Sequence, residues 1–262
     1  MKPLLIFVLL GFMLTPALQA EFSLSSNGHS IEFNGYARIG KGYSSGGNEM
    51  AAFQAPGASS KYRLGNEANY YYELSLKYRY LFEPQQKEQS TYIEALVMAN
   101  EFEPYSKSED LGIDGYNQAY LRLGNIWGGK AIWIGRRFYD RKDIHLTDYK
   151  WLAPSETADI GGGIEGLKLG QGSLDIALFK NRDVAPIGTQ INNLNLDFRW
   201  RDMQPRLDGK LTLWAAAFRR EKNKTLDVAT RYGVGLGGWY DTENVFGIDE
   251  TSNTTAFFLR SS

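Results

Sequence analysis

The sequence predicts an all-β protein, an antiparallel transmembrane β-barrel, on three observations. Apolar and polar residues alternate with period two along most of the chain. An export signal stands at its start, and short turn-like links alternate with long polar ones. Strands with one apolar and one polar face, joined in that rhythm, close into a barrel whose apolar face meets lipid.

The elements follow in order. Lys2 is a positive n-region, Leu4 to Leu14 an apolar h-region, Pro16 breaks it, and Ala17 to Ala20 offer small residues for cleavage. Residues 1–20 therefore read as a signal peptide cut after Ala20, too short and too N-terminal to be a spanning helix. Residues 21–262 read as one barrel domain, without linker, heptads or low-complexity tract. In the first strand, Ile31, Phe33, Gly35, Ala37 and Ile39 are apolar or small, while Glu32, Asn34, Tyr36 and Arg38 form the other face. In Asn69–Leu81, Tyr70, Tyr72, Leu74, Leu76 and Tyr78 oppose Tyr71, Glu73, Ser75, Lys77 and Arg79. Further strands centre near Ala95, Leu121, Trp133, Leu167, Ile176, Leu196, Leu213 and Leu236, about ten in all. Two are especially regular: Ser173–Lys180, and Asn192–Trp200, where Leu194, Leu196, Phe198 and Trp200 alternate with Asn193, Asn195, Asp197 and Arg199. Short links at 82–89, 126–130, 170–172 and 202–209 alternate with long ones at 44–66, 101–115, 138–161, 181–189 and 220–230.

Composition narrows the function. The chain has no cysteine, which excludes a disulfide scaffold, zinc–thiolate sites and cysteine catalysis. A formal net charge of −1 gives no global field for nucleic acid. Sixteen tyrosines and six tryptophans suit interfacial girdles and sugar-stacking platforms alike, and a soluble sugar-binding β-sandwich would share them. There is no dinucleotide fingerprint at a strand–helix junction, no P-loop and no HExxH. The two histidines, His29 and His145, lack metal-ligand spacing, and no cofactor is expected.

Three blocks of residues resemble the maltoporins, the sugar-specific trimeric porins. They are Gly35-Tyr36-Ala37-Arg38, Ser60-Lys61-Tyr62-Arg63-Leu64-Gly65-Asn66-Glu67, and Gly135 to His145 (GRRFYDRKDIH). The resemblance is strong from Phe33 to Trp151, weaker from Gly161 to Phe218 and faint beyond. It implies an eighteen-stranded barrel, assembled as a homotrimer in the bacterial outer membrane, through which oligosaccharides such as maltodextrins diffuse. Sugar would slide along a lumen stripe of aromatic side chains and exchange hydrogen bonds with a polar track. Weak, repeated contacts let a solute enter and still leave.

Carried over position by position, the resemblance makes Tyr36 and Tyr71 slide aromatics. Arg38, Arg63, Glu73, Arg141, Asp143 and Asp148 become track or constriction residues, and His145 a histidine of the inward-folded third loop. The alternation independently puts Tyr36 with Arg38 and Tyr71 with Glu73 on one face. The constriction-loop tyrosine falls at Asp148-Tyr149-Lys150-Trp151, one residue short of the family pattern, so either Tyr149 or Lys150 stands there. A lysine there would favour a more polar sugar.

Other departures are Ala52 and Ala68 where a first-loop disulfide is expected, no tryptophan between Met98 and Tyr116, and Asn117 in place of a track arginine. The chain holds about ten strands' worth of a barrel of eighteen, which reads as C-terminal truncation. Thr251–Ser262 lacks the expected terminal aromatic strand. Trp133, Trp200, Trp214 and Trp239 read as lipid-facing or rim anchors. Asp143 and Asp148 share one loop with Arg and Lys, and no motif supplies an opposing acid, so glycoside hydrolysis is not expected. Two alternatives to the channel remain open: a non-conducting carbohydrate-binding β-protein of the outer membrane, and an inactive truncated porin.

Overall fold

The computed structural model describes residues 17–40, 43, 45–48, 69–104, 115–139, 142–143, 150–151, 159–184, 190–206, 209–222, 229–243 and 252–261. The strands are β1 (Ala17–Ser26), β2 (His29–Ile39), β3 (Asn69–Leu81), β4 (Tyr92–Pro104), β5 (Gly115–Ile126) and β6 (Lys130–Arg137). After them come β7 (Lys142–Asp143), β8 (Lys150–Trp151), β9 (Asp159–Leu169), β10 (Gly172–Val184) and β11 (Gln190–Arg206). The last are β12 (Gly209–Arg220), β13 (Arg231–Glu243) and β14 (Ser252–Ser261). Twelve of these form one sheet in the order β1-β2-β3-β4-β5-β6-β9-β10-β11-β12-β13-β14, and β7 pairs with β8. Every strand of the large sheet thus neighbours the next of that sheet along the chain, the up-and-down order of a porin-type barrel. Among the described residues no helix is long and apolar enough to cross a membrane.

All ten strand centres read from the sequence fall in strands. Two strands of the sheet were not among them. β1 is joined to β2 by Asn27-Gly28, with φ of +48° and +84°, and Ser26 pairs with His29 across the turn. Positive φ at both central residues is the tight hairpin turn whose twist matches that of the strands, and Asn-Gly is its commonest sequence. The final segment, lacking the aromatic signature of a closing strand, nevertheless pairs with β13 from Ser252↔Glu243 to Ser261↔Val234.

The chain divides into two compact units. One holds residues 1–79, 96–119 and 142–150, the other 80–95, 120–141 and 151–262. In the first, Phe22, Leu24, Ile31, Ile39, Leu74 and Leu76 are exposed on one face, while Arg38 is buried on the other. The register explains it: Phe22 pairs with Phe33 and Leu24 with Ile31, so apolar side chains meet across the hairpin.

The second unit shows the same two-faced construction. Ile132, Ile134, Leu178, Leu194, Leu196, Val234 and Leu236 are exposed, and Glu165, Asp175, Asp197 and Arg199 are buried. An exposed apolar face and a buried charged one is the inverse of a soluble sheet, and suits a wall between lipid and a polar lumen. Glycines make room on the charged face. A Cβ on Gly161 would stand 2.7 Å from Phe179 Cδ1, and one on Gly163 2.9 Å from Trp133 Nε1. A bulge between Leu174 and Ile176, with Gly166 at φ +79°, lets Gly166 N–H donate to Asp175 Oδ1 at 2.8 Å.

Candidate functional site

The first unit brings together four of the sequence-predicted residues. Tyr36 and Arg38 on β2, and Tyr71 and Glu73 on β3, point to the charged face because alternate residues of a strand share a side. The Tyr36 and Tyr71 rings lie 6.0 Å apart at 58°. The Arg38 guanidinium carbon sits 5.2 Å from the Tyr71 centroid, within cation–π range, and the Tyr71 hydroxyl donates to Glu73. Lys77 pairs with Glu32, and the Ser75 hydroxyl reaches the Asn34 carbonyl at 3.5 Å, so the same face continues along both strands. On the other face, a Cβ on Gly35 would meet Leu74 Cδ2 at 3.3 Å.

Next to the tyrosines is an open cavity of about 350 Å³, lined by Glu21, Asn34, Tyr36, Glu73, Ser75 and Met98. Glu21 lies on β1 and reaches this face because it pairs with Asn34. Aromatic faces beside carboxylate and amide oxygens are what a polyol ring needs: an apolar surface to stack on, and acceptors for its hydroxyls.

Arg63, Arg141, His145, Asp148 and Tyr149 lie outside the described residues. Asp143 lies in β7, where only the backbone is described, as does Lys150 in β8.

The second unit carries a charged network that the motif transfer did not identify. Glu165 on β9 accepts from Arg122 Nε at 3.0 Å and from Arg137 Nη1 at 2.5 Å. Asp197 accepts from Arg199 Nε at 2.9 Å, and Asp175 pairs with Arg201 at 2.5 Å. The Tyr92 hydroxyl and Arg122 Nη1 are hydrogen-bonded, and the Tyr120 hydroxyl donates to Glu94 at 3.3 Å. Tyr139 is fully buried between these charges and the rings of Trp133 and Phe179. Burial, with Asp175 the next cause, pushes the Tyr139 phenol up, so it stays neutral.

Trp133, Trp214 and Trp239 also belong to the buried charged face, contrary to the expectation of lipid or rim anchors. Register is the reason. Trp214 pairs with Arg199 and Thr212 with Trp239, so these rings share a side with the guanidinium, which lies 5.9 Å from the Trp239 centroid. Trp200 alone of the four faces the other way, beside Leu174, Phe198 and Leu213, with Nε1 donating to the Leu169 carbonyl at 3.1 Å. A sequence signal for the network existed. The alternation of Asn192–Trp200 sets Asp197 and Arg199 on its polar face.

Among the described residues no group of His, Cys, Asp and Glu is arranged to hold a metal ion. A family model described as LamB porin matches residues 31–261. The match runs well past Phe218, where the motif resemblance fades, and starts within β2, leaving β1 outside it.

Proposed function

This chain belongs to the LamB porin family, and from that premise we propose that it carries oligosaccharides of the maltodextrin class by passive diffusion across the outer membrane. The observation that carries the proposal is the Tyr36–Tyr71 pair, with Arg38 and Glu73 on the same face beside an open cavity. A sugar ring stacks on the tyrosines through its apolar face, while Glu73 and Asn34 accept hydrogen bonds from its hydroxyls. Arg38, already turned toward Tyr71, offers several N–H donors to the sugar oxygens. None of these contacts is deep, so a sugar exchanges one for the next and moves on.

The exposed apolar faces are proposed to contact outer-membrane lipid, and the assembled form to be the homotrimer of the family. In the same reading Arg63, Arg141, Asp143, His145, Asp148 and Tyr149 extend the polar track and the constriction. The reading assigns no chemistry to the carboxylates: the family is one of channels, and sugar passes unchanged.

Planar-bilayer recording of the full chain tests the proposal. Ion current should be blocked by maltodextrin in a saturable way. Tyr36→Ala or Tyr71→Ala should weaken that block by about 1 kcal/mol through loss of a stacking face. Arg38→Ala should weaken it by roughly 1.5–3 kcal/mol through loss of charge-assisted hydrogen bonds. Current that is indifferent to sugar, or sugar binding without current, would overturn the channel.

A further inference from the structure

Two residues beyond the end of β6 at Arg137, the chain sets Tyr139 on the charged face. Tyr139 is wholly buried there. Its ring centroid is 5.6 Å from Trp133 on β6 and 5.3 Å from Phe179 on β10. Arg199 of β11 places its guanidinium carbon 4.4 Å from that centroid, Arg201 of β11 5.6 Å and Arg137 5.7 Å. Since the strands run β6-β9-β10-β11, this one ring meets side chains from three of the four.

The arginines are not held by the ring alone. Asp197 fixes Arg199, Asp175 fixes Arg201 and Glu165 fixes Arg137, each from the sheet itself. The carboxylates hold the guanidinium planes around a slot whose remaining walls are the Trp133 and Phe179 rings. An aromatic face fits such a slot, because the ring quadrupole attracts each cation without adding a charge. The Tyr139 hydroxyl has no hydrogen-bond partner among the described residues, so the ring and not the oxygen makes the contact.

We propose that Tyr139 is a positioning residue that pins the root of the β6–β7 link to the inner face of the sheet, through its ring in the arginine slot. The proposal rests on the channel reading only for its consequence, a link root held against the polar face that the sugar passes.

The test has two arms, so that the pin and the channel fail separately. The first is trypsin digestion of the full chain folded in detergent micelles, with fragments identified by mass. Wild type and Tyr139→Phe should resist cleavage after Arg137, and Tyr139→Ala should be cut there about tenfold faster. Arg199→Lys, which keeps the charge beside Asp197 but loses the flat guanidinium, should shift cleavage in the same direction by a smaller factor. This variant also serves if Tyr139→Ala does not fold. The second arm is conductance in planar bilayers, where Tyr139→Ala should raise single-channel current and raise the half-blocking sugar concentration about tenfold, with Tyr139→Phe unchanged. Equal protection of Arg137 in wild type, Tyr139→Ala and Arg199→Lys overturns the pin. So does a Tyr139→Phe variant as sensitive as Tyr139→Ala, since that would place the contact in the hydroxyl. Fast cleavage confined to Tyr139→Ala and Arg199→Lys, from a wild-type protein that does not conduct, upholds the pin and overturns the channel.

Discussion

Replacing Glu165 by alanine should destabilise the second unit by removing a carboxylate that two arginines share. The side chain is 12% exposed and bridges two arginines, Arg122 Nε at 3.0 Å and Arg137 Nη1 at 2.5 Å. Hydrogen bonds to charged groups contribute about 1.5–3 kcal/mol each. Removing one partner of a buried ion pair costs roughly 3–5 kcal/mol, because the surviving charge is left desolvated. Here the arginines retain 23% and 20% exposure, so water relieves part of that cost. Arg137 also keeps its stacking on Tyr120 and Trp133, and Arg122 its bond to Tyr92. The balance is a loss of about 2–4 kcal/mol for Glu165→Ala. Glu165→Gln, which keeps one acceptor oxygen but not the charge, should lose about half as much. Equilibrium urea unfolding of the full chain in micelles, followed by tryptophan emission, measures both. Glu32→Ala is the internal control: its pair with Lys77 is more exposed, at 23% and 32%, and should contribute less than about 1 kcal/mol. A Glu165→Ala variant no less stable than Glu32→Ala would refute the claim that the bridge holds β5, β6 and β9 together.

Two further predictions concern glycines. Gly163→Ala should cost about 1–3 kcal/mol in the same assay, because its Cβ would stand 2.6 Å from the Ile176 carbonyl oxygen, a backbone atom that cannot swing aside. Unchanged unfolding would mean that the strands there are less closely apposed than described. Gly28→Val should loosen the β1–β2 hairpin, since its φ of +84° is costly for a branched residue. Amide exchange at Phe22 and Leu24 should speed up about tenfold, and no change would count against the Asn27-Gly28 turn.

The sequence by itself determined the strands and their sidedness. Alternation is a local property, read from neighbours on one strand, so Tyr36, Arg38, Tyr71 and Glu73 could be set on one face before any pairing was known. The Asn27-Gly28 signal for the first hairpin was equally local, and legible, although β1 was not among the strands read from it. The tertiary structure decided what depends on register and on phase. Bulges at Gly166 and near Asp202 shift the parity of β9 and β11, and no simple alternation count carries through such a shift. Trp214 is flanked by Leu213 and Ala215, so its own strand gives no contrast between the two faces. Only pairing with Arg199 puts it inside. Tyr139 shows the same limit most sharply. Its partners Phe179, Arg199 and Arg201 lie far along the chain, and they surround one ring only because β6, β9, β10 and β11 are successive strands of one sheet.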